Sequence, residues 1–295
     1  MHFLITGGSG FIGSALSRSL VADDHRVTVL TRSSARARPR LPSAVALIEN
    51  LDAARGVDAV VNLAGENLAA HRWNAARKRE FRASRIATTR RLVDAMSAQP
   101  QRPRVLVSGS GVGWYGARAD EELDEGAESG DDFSAQLCRD WEAEAARAAA
   151  LGVRVCSVRT GIVLGKDGGA LKRMLPPFRL GIGGRMGTGR QWMSWIARDD
   201  LVALIRWLID SPAATGAYNG TAPAPVRNAD FAQALARQLR RPAIVPMPAF
   251  ALRLLFGEMA DLLLTGQRVV PRRALDAGFE FRQRELAPAL AATLA

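Results

Sequence analysis

Thr6-Gly7-Gly8-Ser9-Gly10-Phe11-Ile12-Gly13 is the run in this chain with the most definite chemistry. Gly7 permits a tight turn out of a strand. Gly10 lets the backbone approach a pyrophosphate with no Cβ in the way, and Gly13 allows the following helix to pack closely. The apolar segment His2–Thr6 before the run and the helical pattern Phe11–Ala22 after it supply the strand-turn-helix context that such a loop needs. The helix N-terminus then offers free N–H groups and a positive dipole end to phosphate, so Gly7, Gly10, Phe11, Ile12 and Gly13 are expected to hold a dinucleotide.

Arg32 bears on which dinucleotide. An acidic residue at the end of the second strand bonds the adenosine ribose of NAD, whereas a basic residue there meets the 2′-phosphate of NADP. The chain reads Val29-Leu30-Thr31-Arg32-Ser33-Ser34, with no acid. A guanidinium grips phosphate through paired N–H bonds, so the expectation is NADP(H), against the alternative that Arg32 is one more surface arginine. Asn62-Leu63-Ala64-Gly65 closes another strand. Small side chains at Ala64 and Gly65 would let the nicotinamide-side ribose approach the backbone. Leu51 is a candidate wall for the adenine ring, or equally a core residue.

These residues need elements to position them. Short apolar runs bounded by Gly, Pro and polar residues predict buried parallel strands at Arg26–Thr31, Val45–Ile48, Val57–Leu63, Arg104–Ser108 and Val153–Val158. Helical patterns fall between them, at Arg77–Met96 and at the Ala-rich Ser134–Ala150, which stops before Gly152. Alternation of this kind gives an α/β fold, a Rossmann-type doubly wound parallel sheet. Beyond residue 160 the texture changes. Glycines crowd Leu180–Gly189, and helical patterns at Asp199–Ile209 and Asn228–Leu239 alternate with short strands. The expected division is an NADP-binding domain over 1–160, whose core also draws on later segments, and a smaller substrate lobe over 161–295. The substrate belongs in the cleft between them.

The chain has 295 residues, 48% of them apolar, enough for a sizeable core. Its formal charge of +11 comes almost wholly from arginine, the only lysines being Lys78, Lys166 and Lys172. These arginines are scattered through every helix and loop rather than gathered on a face, so no nucleic-acid partner is expected. No apolar run is long enough to span a bilayer. Two cysteines, Cys138 and Cys156, give no disulfide framework, and a strand starting at residue 2 leaves no room for a signal peptide; a cytoplasmic location is expected. The partner expectations are a small-molecule substrate, no membrane, and a homodimer as a possible assembly. The three histidines, His2, His25 and His71, have no metal-ligand spacing and no metal is expected.

The T-G-x-x-G-F-I-G loop resembles that of the extended short-chain dehydrogenase/reductase superfamily. That resemblance implies a catalytic serine after the fifth strand and a Tyr-x-x-x-Lys pair on the next helix, the lysine lowering the tyrosine's pKa for acid-base work. The pair is absent: four residues beyond Tyr115 and Tyr218, the only tyrosines, stand Ala119 and Ala222. Trp141-Glu142 matches the glutamate that ends the superfamily's Y-x-x-x-K-x-x-x-E, which puts Cys138 at the lysine position and Ser134 at the tyrosine position. Ser108-Gly-Ser110-Gly-Val-Gly-Trp-Tyr115-Gly116 resembles its S-S-x-x-x-Y-G segment with one extra residue. This implies that Ser110 is the catalytic serine and puts Ser108 among the cofactor contacts. Further motifs are similar to those of an epimerase-like subgroup, often labelled cell-division-inhibitor-like, with a C-terminal domain of unknown function. They are Asn62–Glu66, Arg72-Trp73, Leu137–Glu142, Gly161–Gly165, Gly168–Leu171, Gly189–Ile196, Gly257-Glu258, Gln267–Val269 and Gly278-Phe279.

Two functions remain open at this point. One is an NADP-dependent oxidoreductase or epimerase with a non-standard site, using Ser110 and Tyr115 or an acid among Glu121, Glu122 and Asp124. The other is a catalytically silent NADP-binding module whose occupancy controls a partner.

Overall fold

A computed structural model describes residues Met1–Ala295. Seven parallel strands form its main sheet: β1 (His2–Thr6), β2 (Arg26–Leu30), β3 (Ala46–Ile48), β4 (Ala59–Asn62), β5 (Val105–Gly111), β6 (Arg154–Thr160) and β7 (Gly216–Gly220). Their spatial order is β7-β6-β5-β4-β1-β2-β3. The order reverses at β1, between β2 and β4, and a ligand binds in the crevice outside the carboxyl ends of strands at such a point.

Both faces of the sheet are covered, which explains why the strands read as continuous apolar runs rather than alternating ones. Phe3, Ile5, Val29, Val61 and Val107 project to one face, under α1 (Phe11–Ala22). Leu4, Val60 and Leu106 project to the other, under Leu92, Val93 and Met96.

The helix expected over Arg77–Met96 is divided into α2 (Ala75–Arg82) and α3 (Thr88–Ser97) by a π turn at Ala83–Ala87. The Thr89 hydroxyl donates to the Arg85 carbonyl at 2.7 Å, inside this distorted stretch. α4 (Phe133–Ala146) tightens into a 3-10 turn that stops at Gly152, whose φ of 77° is the left-handed conformation that glycine adopts without strain.

The later half of the chain does not stay in one lobe. α6 (Arg198–Asp210), β7 and the segment holding Ala274, Phe279 and Phe281 return to the main core. The smaller core gathers Leu171, Leu175 and Phe178 of α5 (Gly169–Arg179) with Trp195, Phe231 and Leu235 of α7 (Asn228–Leu239) and Leu290 of the last helix. A cut at residue 160 therefore crosses the Rossmann core, because the outermost strand and one covering helix come from later sequence. No helix is long and apolar enough to cross a membrane.

Candidate active site

At the crevice, Gly7 has a φ of 69°, and a Cβ there would lie 2.5 Å from the Leu63 carbonyl oxygen. A Cβ on Gly13 would lie 2.4 Å from the Gly7 oxygen, so the first turn of α1 sits directly on the loop. At Gly10 a Cβ would touch only the Gly7 oxygen, at 3.1 Å, and otherwise fill open space. No side chain caps α1 at Gly10. The loop thus presents unblocked N–H groups above a cradle that a side chain would fill, which fits a pyrophosphate.

Arg32 is exposed just beyond β2 and enters no hydrogen bond or ion pair of the chain. The neighbouring Ser34 N–H is occupied, donating at 2.7 Å to Glu49 just after β3. The Ser33 side chain caps the short helix that follows. The Phe11 ring is wedged into the second lobe: a Cβ on Gly165 or Gly168 would collide with it, at 2.5 and 2.3 Å. The Phe11 side chain therefore ties the glycine loop to the segment leading into α5. Leu51 turns away from the crevice to line a small apolar cavity with Leu4, Val60, Leu92 and Met96, which favours the core role left open for it.

The other end of the crevice rests on a buried polar chain. Thr6 Oγ1 donates to Asn62 Oδ1 at 2.6 Å and accepts from Ala64 N at 3.3 Å. Asn62 Nδ2 donates to Thr89 Oγ1 at 2.8 Å and to Ser108 Oγ at 3.2 Å, and Trp141 Nε1 donates to Thr89 Oγ1 at 3.0 Å. Ser108 is wholly buried in this network. It supports the floor of the site rather than touching a ligand, which corrects its expected place among the cofactor contacts. Ala64 is half-buried and Gly65 exposed, so this segment is open to a ligand from above.

Ser110 stands at the end of β5, directly opposite Arg159 of β6 in the ladder. Its hydroxyl donates to Glu142 Oε1 of α4 at 2.6 Å. Glu142 in turn accepts from Arg159 Nε at 2.9 Å and Nη2 at 3.0 Å, a two-point clasp with both side chains largely buried. The Arg159 guanidinium lies 3.7 Å from the Trp114 ring centroid. Burial alone would lower its pKa, but Glu142 outweighs burial and the net shift is upward.

Tyr115 does not reach a substrate. It is fully buried, donates to Asn219 Oδ1 at 2.7 Å and accepts from Arg159 Nη1 at 3.2 Å. Burial pushes its phenol up to about 12 despite the nearby Arg159. The expectation that Tyr115 is catalytic gives way to a structural role, because β7 passes directly over it. Cys138, at the position matched to the superfamily's lysine, is buried, and desolvation followed by the charge of Glu142 pushes its thiol up to about 11.

The acids of the 120–128 loop are also engaged. Glu122 pairs with Arg268 and Arg272, Glu121 with Arg118, and Asp124 accepts from Gly126 N. The Glu142–Arg159 clasp had a signal in the sequence, since both residues sit in matched motifs, but only the β5–β6 register and the approach of α4 bring them together.

With this geometry in hand, the comparisons with known proteins are decisive. The NAD dependent epimerase/dehydratase family profile matches residues 3–219. The chain belongs to that family. A second profile, a domain of unknown function named DUF1731, matches residues 247–293. The chain is 44% identical to the chloroplastic epimerase family protein SDR39U1 homolog of Arabidopsis thaliana, over 100% of this chain and 87% of the relative. The crystal structure of human epimerase family protein SDR39U1 with NADPH superimposes with a TM-score of 0.92 at 38% identity, covering 99% of both chains. A nucleoside-diphosphate sugar epimerase from Corynebacterium glutamicum is 34% identical with a TM-score of 0.78, covering 100% of this chain and 58% of the other.

Proposed function

We propose that this protein binds NADPH across the carboxyl ends of β1 to β5 and is an oxidoreductase that works without a tyrosine-lysine pair. The observation that carries the cofactor assignment is the pairing of an open glycine cradle at Gly10 with an unpartnered Arg32 beyond β2. The NADPH held by the human relative supports it. Gly7, Gly10 and the N–H groups of Phe11, Ile12 and Gly13 would hold the pyrophosphate, Arg32 the 2′-phosphate, and Ala64 and Gly65 the nicotinamide ribose. NADPH would supply hydride.

The chain's own residues set what that hydride can reach. Ser110 is the hydroxyl that orients a substrate oxygen, after turning away from Glu142. Glu142, clasped by Arg159, holds Ser110 in place until substrate arrives, and the proton that the reduced substrate takes up would come from water. No lysine stands where the superfamily's pair would place one, Cys138 occupying that position. Tyr115, with a phenol raised to about 12, is not a substitute. The chemistry that suits such a site is reduction of a carbonyl or enone that accepts hydride readily, with slow turnover of nucleotide sugars.

The test is NADPH consumption across a carbonyl and enone panel by wild type and Ser110→Ala. Turnover lost in the variant, with NADPH affinity unchanged, supports the assignment. Efficient epimerisation of a nucleotide sugar by both proteins would overturn it. The internal bonds of Ser110 and Tyr115 favour one second reading, a nucleotide-binding regulatory module; NADPH binding without turnover of any panel member would support that reading instead.

A further inference from the structure

Two arginines are buried at the nicotinamide end, and only one is neutralised. Arg159 is clasped by Glu142. Arg85 has a relative exposure of 9% and belongs to none of the chain's ion pairs. Its partners are neutral: the Glu66 carbonyl at 2.9 Å, the Phe81 carbonyl at 3.4 Å and Ser84 Oγ at 3.5 Å. Its Nε donates to no group of the protein. A buried charge without a counter-charge is costly, and proteins usually pair such groups. Burial accordingly lowers its pKa to about 10, against the opposing influence of Cys138 and Glu66, and it stays charged at neutral pH.

The location is specific. The π turn between α2 and α3 carries Arg85, and such turns occur frequently at functional sites. A Cβ on Gly65 would lie 2.9 Å from the guanidinium carbon. The Trp141 ring lies at 5.2 Å from the same carbon. Gly65 is exposed, so the guanidinium lies just beneath an opening at the end of β4. A dinucleotide lying across the switch point puts its nicotinamide half on this side, given its pyrophosphate at α1 and its adenosine toward β2. Cys138, where the superfamily's lysine would stand, is a neighbour and is neutral at physiological pH, its thiol being raised to about 11; the Glu66 carboxylate acts on Arg85 only through its field and forms no ion pair with it.

We propose that Arg85 is a carboxylate-binding residue, and that the substrate bound beside the nicotinamide is an organic acid. A planar guanidinium matches a carboxylate through two parallel N–H bonds. The ligand then supplies the counter-charge that the protein omits here and supplies at Arg159. The placement beside nicotinamide rests on the proposed NADPH binding; the anion site itself does not.

The experiment compares benzoate with its neutral isostere benzamide on NADPH-saturated wild type, Arg85→Gln and Arg85→Lys, read by calorimetry. Benzoate is expected to bind wild type about tenfold or more tightly than benzamide, the scale of a charge-assisted hydrogen bond. Arg85→Gln should erase that preference, Arg85→Lys should keep part of it, and NADPH affinity should change by less than about twofold in both, since neither touches the phosphate loop. Equal binding of acid and amide by wild type, no detectable benzoate binding, or a preference surviving in Arg85→Gln would overturn the proposal. So would a loss of NADPH affinity in Arg85→Gln with benzoate binding intact, which would make Arg85 a cofactor contact. A failure of wild type to bind NADPH would count against the proposed function alone, because the benzoate comparison can be repeated on the cofactor-free protein.

Discussion

Around Gly10 the surface offered to a ligand is mostly backbone: a loop with three glycines, an uncapped helix start and one free guanidinium at Arg32. Around Ser110 it is side chains, and most are already engaged. Ser110, Glu142, Arg159, Tyr115 and Asn219 form one connected set drawn from β5, β6, β7, α4 and the turn after β5. The first region can bind without rearranging, because no side chain caps the N–H groups at the start of α1 and Arg32 enters no ion pair. The second holds its shape through interactions that a substrate must partly replace. Changes at the phosphate end should therefore alter cofactor affinity with little effect on folding, whereas changes at the nicotinamide end should alter folding with little effect on cofactor affinity.

The sharpest way to break this contrast is Gly10→Val. The side chain would occupy the pyrophosphate's approach, so the rise in melting temperature that NADPH produces in wild type should vanish while the melting temperature of the free protein stays close to wild type. An undiminished rise would show that the loop does not hold the phosphates.

Glu142→Ala tests the other side. It leaves Arg159 buried without its partner, and removing one member of a buried pair costs about 3–5 kcal/mol. Denaturant unfolding should show that loss while NADPH affinity remains near wild type. A stability change below about 1 kcal/mol, typical of an exposed pair, would mean that the clasp is solvated and not structural.

Arg32→Ala is smaller and falls on affinity. Loss of a charged hydrogen bond to the 2′-phosphate should weaken NADPH by about 1.5–3 kcal/mol, with NADH unaffected. Fluorescence titration of both cofactors against both proteins measures it, and equal wild-type affinity for NADPH and NADH would remove the role given to Arg32. The smallest effect belongs to Tyr115→Phe. It deletes the neutral hydrogen bond to Asn219 and the longer one accepted from Arg159, together worth about 1–2 kcal/mol of stability, and should leave NADPH affinity and any turnover intact. A marked loss of turnover at unchanged stability would return Tyr115 to the catalytic set.

The same contrast explains what could be read in the chain. His2–Thr6, the glycine run and Arg32 are local signals: the role proposed for each rests on its neighbours in sequence, and the strand-turn-helix they describe is the one observed. The five strands expected after β1 all appear, shifted by one to three residues at their ends, because strands buried on both faces leave long apolar runs. Ser108 and Tyr115 depart from expectation for a shared reason. Sequence places them near the end of β5 but does not say which side of the crevice their side chains occupy. Ser108 faces down into the Thr6–Asn62–Thr89 network, and Tyr115 is covered by Asn219 from a strand more than a hundred residues later.

Sequence alone therefore determined the Rossmann-type layering, the glycine-rich strand-turn-helix, the missing tyrosine-lysine pair and the basic residue after β2, since all of these are contiguous patterns. Tertiary structure alone decided that Arg159 is neutralised and Arg85 is not, that β7 and α6 rejoin the first core, and that Phe11 locks the loop to the second lobe. Those outcomes depend on pairings between distant segments. Charge compensation and burial are properties of what surrounds a side chain in space, and the order of residues along the chain does not specify them locally.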